Sequence, residues 1–169
     1  MHAGYDHRLP ATTEMAREFW QIFVNRRAYT LQSMRPHAES GRHYYYRPKA
    51  KDTAATPGLT LETIRQHLSG EITVGLYSIN PQTQRSKWVA IDADYSKALE
   101  DLIKLQYQMI QDGVEPALEK SNRGGHLWIF FERPVVAREA RIYIYHVALR
   151  LGLPIKDGMR RLVSASSMQ

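Results

Sequence analysis

A chain of 169 residues is long enough to form a domain with its own hydrophobic core. It contains no cysteine, which excludes disulfides and thiolate zinc sites. No apolar run approaches about 18 residues, so we expect neither a signal peptide nor a transmembrane helix, and a cytoplasmic setting. The net charge of +6 favours a polyanionic partner, and nucleic acid fits better than a membrane because no basic amphipathic helix is evident.

The first half of the chain alternates helical patterns with short extended segments. We expect residues 1–11 to form a flexible N-terminus and residues 12–169 to form a single domain. Apolar residues at helical spacing predict helices over residues 13–28 and 60–70. Between them, the basic and aromatic residues 42–48 are typical of a short strand that ends at a proline.

The middle of the chain predicts a hairpin followed by a long helix. Residues 73–79 and 88–92 are strand-like and are separated by turn residues, which favours an antiparallel pair. Because residues 88–91 are apolar on both faces, we expect them to form a central strand. A helix is predicted over residues 96–112, with its apolar face formed by Leu99, Leu102, Ile103, Tyr107 and Ile110.

The last third predicts a second hairpin and a final helix. Residues 117–120 and 126–131 are strand-like and flank a short glycine-containing loop. Residues 137–151 form a helical pattern that ends at a glycine. Hairpins that flank helices predict an α+β fold, with a mostly antiparallel sheet and helices packed on it.

Two acidic residues follow the strand predicted at residues 88–92. Side chains at positions i and i+2 of a strand point to the same face, so Asp92 and Asp94 are placed to hold one divalent cation. Mg²⁺ commonly binds through one or two carboxylates, with water and phosphate oxygens at its other positions. The alternative is structural, with Asp94 capping the helix that begins near Ser96.

The loop between the last two strands is rich in groups that bind anions. Ser121, Arg123 and His126 can each donate to phosphate oxygens, and Gly124 and Gly125 allow backbone amides to approach an anion. The same residues would also serve a hairpin turn with no ligand. The loop therefore favours a phosphate-binding site, and a pair of carboxylates that could hold a metal ion beside it is what a nucleoside triphosphate would need.

A third cluster combines aromatic and basic side chains. Arg42, Tyr44 and Arg47 lie in a stretch that includes two further tyrosines. Aromatic rings can stack on bases while guanidinium groups contact phosphates, which suggests a nucleic-acid-binding surface. The alternative is a strand that is half buried in the core and half exposed.

Two of these segments, Ile91–Asp94 and Ser121–Phe131, resemble the first and second motifs of the archaeo-eukaryotic primase superfamily. The chain resembles in particular the primase-polymerases of TOTE conflict systems and those linked to CRISPR loci. The similarity extends over about residues 18–153 and includes the flanking segments 59–70, 75–77, 116–121 and 131–135.

The resemblance implies a role for each residue of the two motifs. In the family, the aspartates bind catalytic Mg²⁺ or Mn²⁺, and the serine and histidine contact the phosphates of the incoming nucleotide. It therefore implies that Asp92 and Asp94 bind metal and that Ser121 and His126 bind nucleotide, with Arg123 as an addition. The implied protein is a DNA primase or polymerase with an RRM-like core. Its partners would be template and primer DNA, nucleoside triphosphates, and an associated helicase, nuclease or CRISPR component.

One feature of the family is not matched. The family has a third carboxylate on a later strand, whereas here only Asp157 follows the last predicted helix, in a polar segment. We therefore expect a truncated catalytic core or a short variant, whose incomplete metal site would make it weak or inactive. Two other functions stay open: a non-catalytic nucleic-acid-binding module with the same fold, and a metal-dependent nuclease that uses Asp92 and Asp94.

Overall fold

The computed structural model describes residues 10–49 and 57–155, which form four helices and six strands. The strands make two antiparallel sheets of three strands each, so the predicted α+β class is confirmed. The chain divides into two compact units, Met1–Ser78 and Ile79–Gln169. Most of the predicted flexible N-terminus and Asp157 lie outside the described residues.

The first unit has two helices and one small antiparallel sheet of three strands, in which the strand that comes first in the chain lies in the middle. Thr12 and Thr60 cap the helices, because each hydroxyl accepts a hydrogen bond from a backbone amide three residues later. The first helix ends five residues before its predicted end, where Val24 adopts an extended conformation. The elements are α1 (Thr13–Phe23), β1 (Tyr29–Gln32), β2 (Tyr45–Tyr46), α2 (Leu61–Leu68) and β3 (Val74–Leu76).

The second unit has a longer three-stranded sheet and two helices. Its elements are β4 (Arg85–Ala93), α3 (Ala98–Gln111), β5 (Ala117–Lys120), β6 (Gly125–Val136) and α4 (Ala137–Arg150). The strand order is β4-β6-β5. The predicted hairpin of the last third is confirmed, because β5 pairs antiparallel with β6 across the loop at residues 121–124. Among the described residues, none of the helices has the length and apolarity needed to cross a bilayer.

Both helices of the second unit pack on one face of its sheet. Leu127 and Ile129 of β6 are buried in the same core as α3 and α4. Side chains alternate along a strand, so His126, Trp128 and Phe130 of β6 lie on the opposite face. The helical residues in this core are Ala98, Leu102, Leu105, Met109, Ile144, Val147 and Ala148.

The buried face of α3 differs from the predicted one. Leu102 is buried as expected. Ile103, Tyr107 and Ile110, by contrast, are 50%, 66% and 49% exposed. The buried stripe instead follows Ala98, Leu102, Leu105 and Met109, at spacings of three and four residues. The prediction was wrong because apolar residues occupy more of this helix than the sheet can cover, so the sequence alone did not indicate which stripe is buried.

Two predictions about β4 were also wrong. The predicted hairpin between residues 73–79 and 88–92 does not form, because β3 pairs with β1 and β4 pairs with β6. Between β3 and β4, a turn around residues 80–84 is closed by an isolated β-bridge that pairs Asn80 with Arg85. Nor is β4 central, since β6 occupies the middle of the sheet. Its apolar character reflects cover on both faces, with Val89 and Ile91 against the core and Trp88 beside Trp128 at 5.5 Å between ring centroids.

Candidate functional site

The two aspartates lie at the C-terminal end of β4. Asp92 belongs to the strand and its side chain is 75% exposed, while Asp94 follows the strand and is 42% exposed. Asp94 does not cap α3, whose N-terminus has no side-chain cap. Instead its Oδ2 atom forms an ion pair with Nη2 of Arg123, with 2.9 Å between the two atoms. Both carboxylates are therefore accessible to a ligand.

His126 lies directly opposite Asp92 in the sheet. The two residues are paired across β4 and β6, and Nε2 of His126 is 3.6 Å from Oδ1 of Asp92. Glu119 of β5 is paired with His126 from the other side, with its Oε2 atom 3.2 Å from Nδ1 of the imidazole. The imidazole thus sits between two carboxylates, on one face of three adjacent strands.

Glu119 is a member of this cluster that the sequence analysis missed. Trp128 donates from Nε1 to Oε2 of Glu119 at 2.8 Å. This hydrogen bond, followed by the attraction of His126, lowers the pKa of the Glu119 carboxyl. Counting back across the short loop from His126 would have placed Glu119 opposite it, so the signal was the register of the hairpin.

The loop between β5 and β6 is held together by its own hydrogen bonds. Ser121 accepts a hydrogen bond at Oγ from the Gly124 amide at 3.2 Å, and its own amide donates to the Gly124 carbonyl at 3.0 Å. The Ser121 hydroxyl keeps its proton for a further acceptor. These bonds make the loop a closed turn, from which the Arg123 side chain projects with 82% exposure.

The two glycines of the loop are required by close backbone packing. A side chain at Gly124 would overlap the carbonyl oxygen of Ala93. A Cβ atom at Gly125 would lie 2.6 Å from the carbonyl oxygen of Glu119. The Gly124 amide is also engaged by Ser121, so these glycines set the position of the loop against the strand ends.

The donor set suits a cation that shares its ligands with phosphate and water. Among residues 10–49 and 57–155, no group of three or more histidine, cysteine, aspartate or glutamate side chains could hold a metal ion by itself. The pair of exposed carboxylates does fit Mg²⁺ or Mn²⁺ bound through two protein ligands, since Mg²⁺ usually keeps several waters and uses substrate phosphates as ligands.

The predicted site residues fall into two groups. Asp92, Asp94, Ser121, Arg123, Gly124, Gly125 and His126 all belong to the second unit, at the adjacent ends of β4, β5 and β6. Arg42, Tyr44 and Arg47 belong to the first unit, at and beside β2. All three of the latter side chains are exposed, so the alternative of a half-buried strand does not describe them.

Comparison with known proteins assigns the chain to a family. No protein with curated annotation matches it significantly. The model of the family described as "TOTE conflict system, Archaeo-Eukaryotic Primase domain" matches residues 19–152. This match covers most of the chain and includes both groups of site residues. The chain therefore belongs to the archaeo-eukaryotic primase domain family of TOTE conflict systems, a family of primase-like nucleotidyltransferases.

Proposed function

We propose that the protein is a template-dependent DNA primase or polymerase. A primer 3′-hydroxyl, or that of a first nucleotide, attacks the α-phosphate of a nucleoside triphosphate. A new phosphodiester bond forms, the bond between the α- and β-phosphates breaks, and pyrophosphate leaves. The observation that carries this proposal is the pairing of His126 with Asp92 on one face of the sheet, because an imidazole that can donate to phosphate then lies beside a carboxylate that can bind a cation.

The triphosphate binds to the loop between β5 and β6. Ser121 donates from its hydroxyl, Arg123 from its guanidinium and His126 from its imidazole, so the polyanion meets three donors within six residues of chain. The ion pair of Arg123 with Asp94 is solvent-exposed, and such pairs contribute only about 0–1 kcal/mol. Arg123 can therefore exchange Asp94 for phosphate at little cost, which frees the carboxylate for a cation.

Asp92 and Asp94 are the residues that would hold Mg²⁺ or Mn²⁺. In two-metal phosphoryl transfer, the cations stabilise the attacking and leaving oxygens and neutralise phosphate charge. Binding of the cations and of the triphosphate is mutually dependent in this proposal, because the described part of the chain supplies two carboxylates and the phosphates supply further ligands. The third carboxylate of the family has no counterpart among the described residues.

A primer-extension assay tests this function. The protein is incubated with primed template DNA, Mn²⁺ and labelled deoxynucleoside triphosphates, in parallel with the variant Asp92→Ala/Asp94→Ala. We expect the wild type to extend the primer and the variant to lose at least about 100-fold in rate, since removal of one electrostatic stabiliser of this kind costs about 10²–10³.

A matched control tests whether a loss of extension comes from the proposed site or from the change in net charge. The variant Glu132→Ala/Glu139→Ala also removes two exposed acids, which have no role in the proposed site, and should extend the primer like the wild type. Equal extension by wild type and Asp92→Ala/Asp94→Ala would contradict the proposal. Shortening of the labelled strand instead of extension would identify a nuclease.

The second candidate is a nucleic-acid-binding module without catalysis. It is favoured by one observation, the lack of a three-residue metal cluster in the described part of the chain. In this case the wild type and Asp92→Ala/Asp94→Ala bind DNA equally well, and neither extends the primer with Mg²⁺ or with Mn²⁺. The same pair of proteins therefore distinguishes the two functions.

A further inference from the structure

A row of three rings lies on the surface of the first unit. The ring centroids of His37 and Tyr44 are 6.4 Å apart, and those of Tyr44 and Tyr46 are 6.2 Å apart. Tyr44 is 50% exposed and Tyr46 is 44% exposed. Tyr45, between them in the chain, points to the other side, where its ring lies over Gly75. The alternation of the strand thus places the two outer tyrosines on one face.

The backbone around this ring row is fixed by hydrogen bonds. The buried residue Ser33 donates from its amide to the Tyr44 carbonyl at 2.8 Å and accepts from the Tyr44 amide at Oγ at 3.1 Å. The His37 amide donates to the Arg42 carbonyl at 2.8 Å, and the Gly41 amide donates back to the His37 carbonyl at 2.9 Å. The backbone that carries these rings is therefore ordered before any ligand arrives, which lowers the entropy lost on binding.

A depression and two cations adjoin the ring row. The depression has a volume of about 440 Å³ and is lined by His37, Glu39, Ser40, Arg42, His43 and Tyr44. The depression is open to solvent beside the ring row. Arg42 and Arg47 are both exposed, and within the described part of the chain neither is ion-paired with a carboxylate.

We infer that the ring row, with Arg42 and Arg47, binds single-stranded nucleic acid. Exposed aromatic rings flanked by guanidinium groups match a strand whose bases stack on the rings while its phosphates contact the cations. A duplex does not fit this chemistry, because its bases are already stacked and paired. The proposal concerns residues of the first unit, none of which is assigned to the proposed polymerase site, and it holds whether or not the protein catalyses nucleotide transfer.

Fluorescence anisotropy with labelled oligo(dT) and oligo(rU) tests the inference on the full chain. The buffer contains EDTA and no nucleoside triphosphate, so the result does not depend on polymerase activity. Stacking contributes about 1–3 kcal/mol per base, which corresponds to at least about a fivefold change in affinity per ring. We expect Tyr44→Ala/Tyr46→Ala to weaken binding at least about tenfold and Tyr44→Phe/Tyr46→Phe to keep the wild-type affinity.

Controls keep this test decisive. Tyr107→Ala removes a tyrosine that is 66% exposed in the second unit and should leave the affinity unchanged. Circular dichroism and Tm confirm that each variant is folded. If the double alanine variant is not, Tyr44→Leu/Tyr46→Leu, which keeps apolar side chains without rings, is measured instead; it should weaken binding to the same extent, and unchanged binding by it would overturn the inference. Unchanged binding by the folded alanine variant would overturn the inference. So would equal loss in the phenylalanine variant, or equally tight binding of unlabelled duplex in competition.

Discussion

At the scale of single residues, Glu119 has the contacts of a positioning residue. Its carboxylate accepts from Trp128 Nε1 and faces Nδ1 of His126, which leaves Nε2 directed towards Asp92. The contact between Nδ1 and Glu119 thereby holds the imidazole in one orientation. A histidine that must meet a phosphate with a fixed nitrogen gains from such a partner, because the ring orientation is set before the ligand binds.

We expect Glu119→Gln to reduce nucleotide use rather than stability. The amide retains an acceptor for Trp128 but removes the charge that faces His126, and a hydrogen bond to a charged group is worth about 1.5–3 kcal/mol. The predicted result is a loss of about tenfold in kcat/KM for extension, mainly through a higher KM for the nucleotide, with little change in Tm. Steady-state kinetics at varied nucleotide concentration measures the split, and Glu115→Gln is the control at a nearby exposed acid.

An unchanged KM in Glu119→Gln, or a loss confined to Tm, would assign Glu119 a purely structural role. Sequence reasoning selected Asp92, Ser121, Arg123 and His126 as candidates because each lies in a short segment with a recognisable chemistry. It missed Glu119 because its relation to His126 exists only once β5 and β6 are aligned. It also missed the contact of Arg123 with Asp94, which depends on the conformation of the loop.

At the scale of elements, local patterns were predictable and distant pairings were not. The hairpin of β5 and β6 needs only a short loop, so the sequence revealed it. The pairing of β3 with β1 joins residues more than 40 positions apart, such as Thr30 and Gly75. No local pattern encodes that choice, and the turn after β3 misleadingly suggested a partner further along the chain.

The contact between α3 and α4 gives a prediction at alkaline pH. Tyr143 of α4 donates to Oδ2 of Asp112 at the end of α3. Burial, followed by this hydrogen bond, raises the pKa of Tyr143 to about 12. Tyrosine in an unfolded chain titrates near about 10. The native state therefore keeps a proton that the unfolded state loses, so this contribution to stability is complete below about pH 10 and disappears as the pH rises towards 12.

We expect Tyr143→Phe to flatten the fall in unfolding free energy between about pH 10 and pH 12, compared with the wild type. Urea denaturation at a series of pH values measures the slope. A residual slope should persist, because burial also raises the pKa of Tyr95 to about 12. Tyr107→Phe, at an exposed position on α3, is the control and should leave the slope unchanged. An identical slope for Tyr143→Phe would contradict the stated cause.

At the scale of the whole molecule, the net charge of +6 is shared by two units with separate cores. The sequence indicated an anionic partner from this total alone. It could not indicate whether binding depends on the overall charge or on a defined surface, since that distinction rests on which cations remain exposed and close together after folding.

Salt dependence separates these two origins of affinity. For single strands, the slope of log affinity against log salt is about −0.7 per phosphate contacted. If Arg42 and Arg47 each contact one phosphate, Arg42→Gln/Arg47→Gln should reduce the magnitude of the slope by about 1.4. Anisotropy at several salt concentrations measures it. Arg133→Gln/Arg138→Gln carries the same net charge and should keep the wild-type slope. Equal reductions in both variants would mean that the total charge, and no particular surface, governs binding.

The absence of a side chain at Gly124 links the loop to the strand that bears the acids. The loop backbone rests directly on the carbonyl of Ala93, which lies in the chain between Asp92 and Asp94. Even the methyl group of an alanine at position 124 would force the loop away from the end of β4. A ligand that shifted the loop towards the strand would therefore press on the peptide between the two carboxylates. Under the proposed function, binding of the triphosphate at the loop and binding of a cation at Asp92 and Asp94 would then influence each other through this contact.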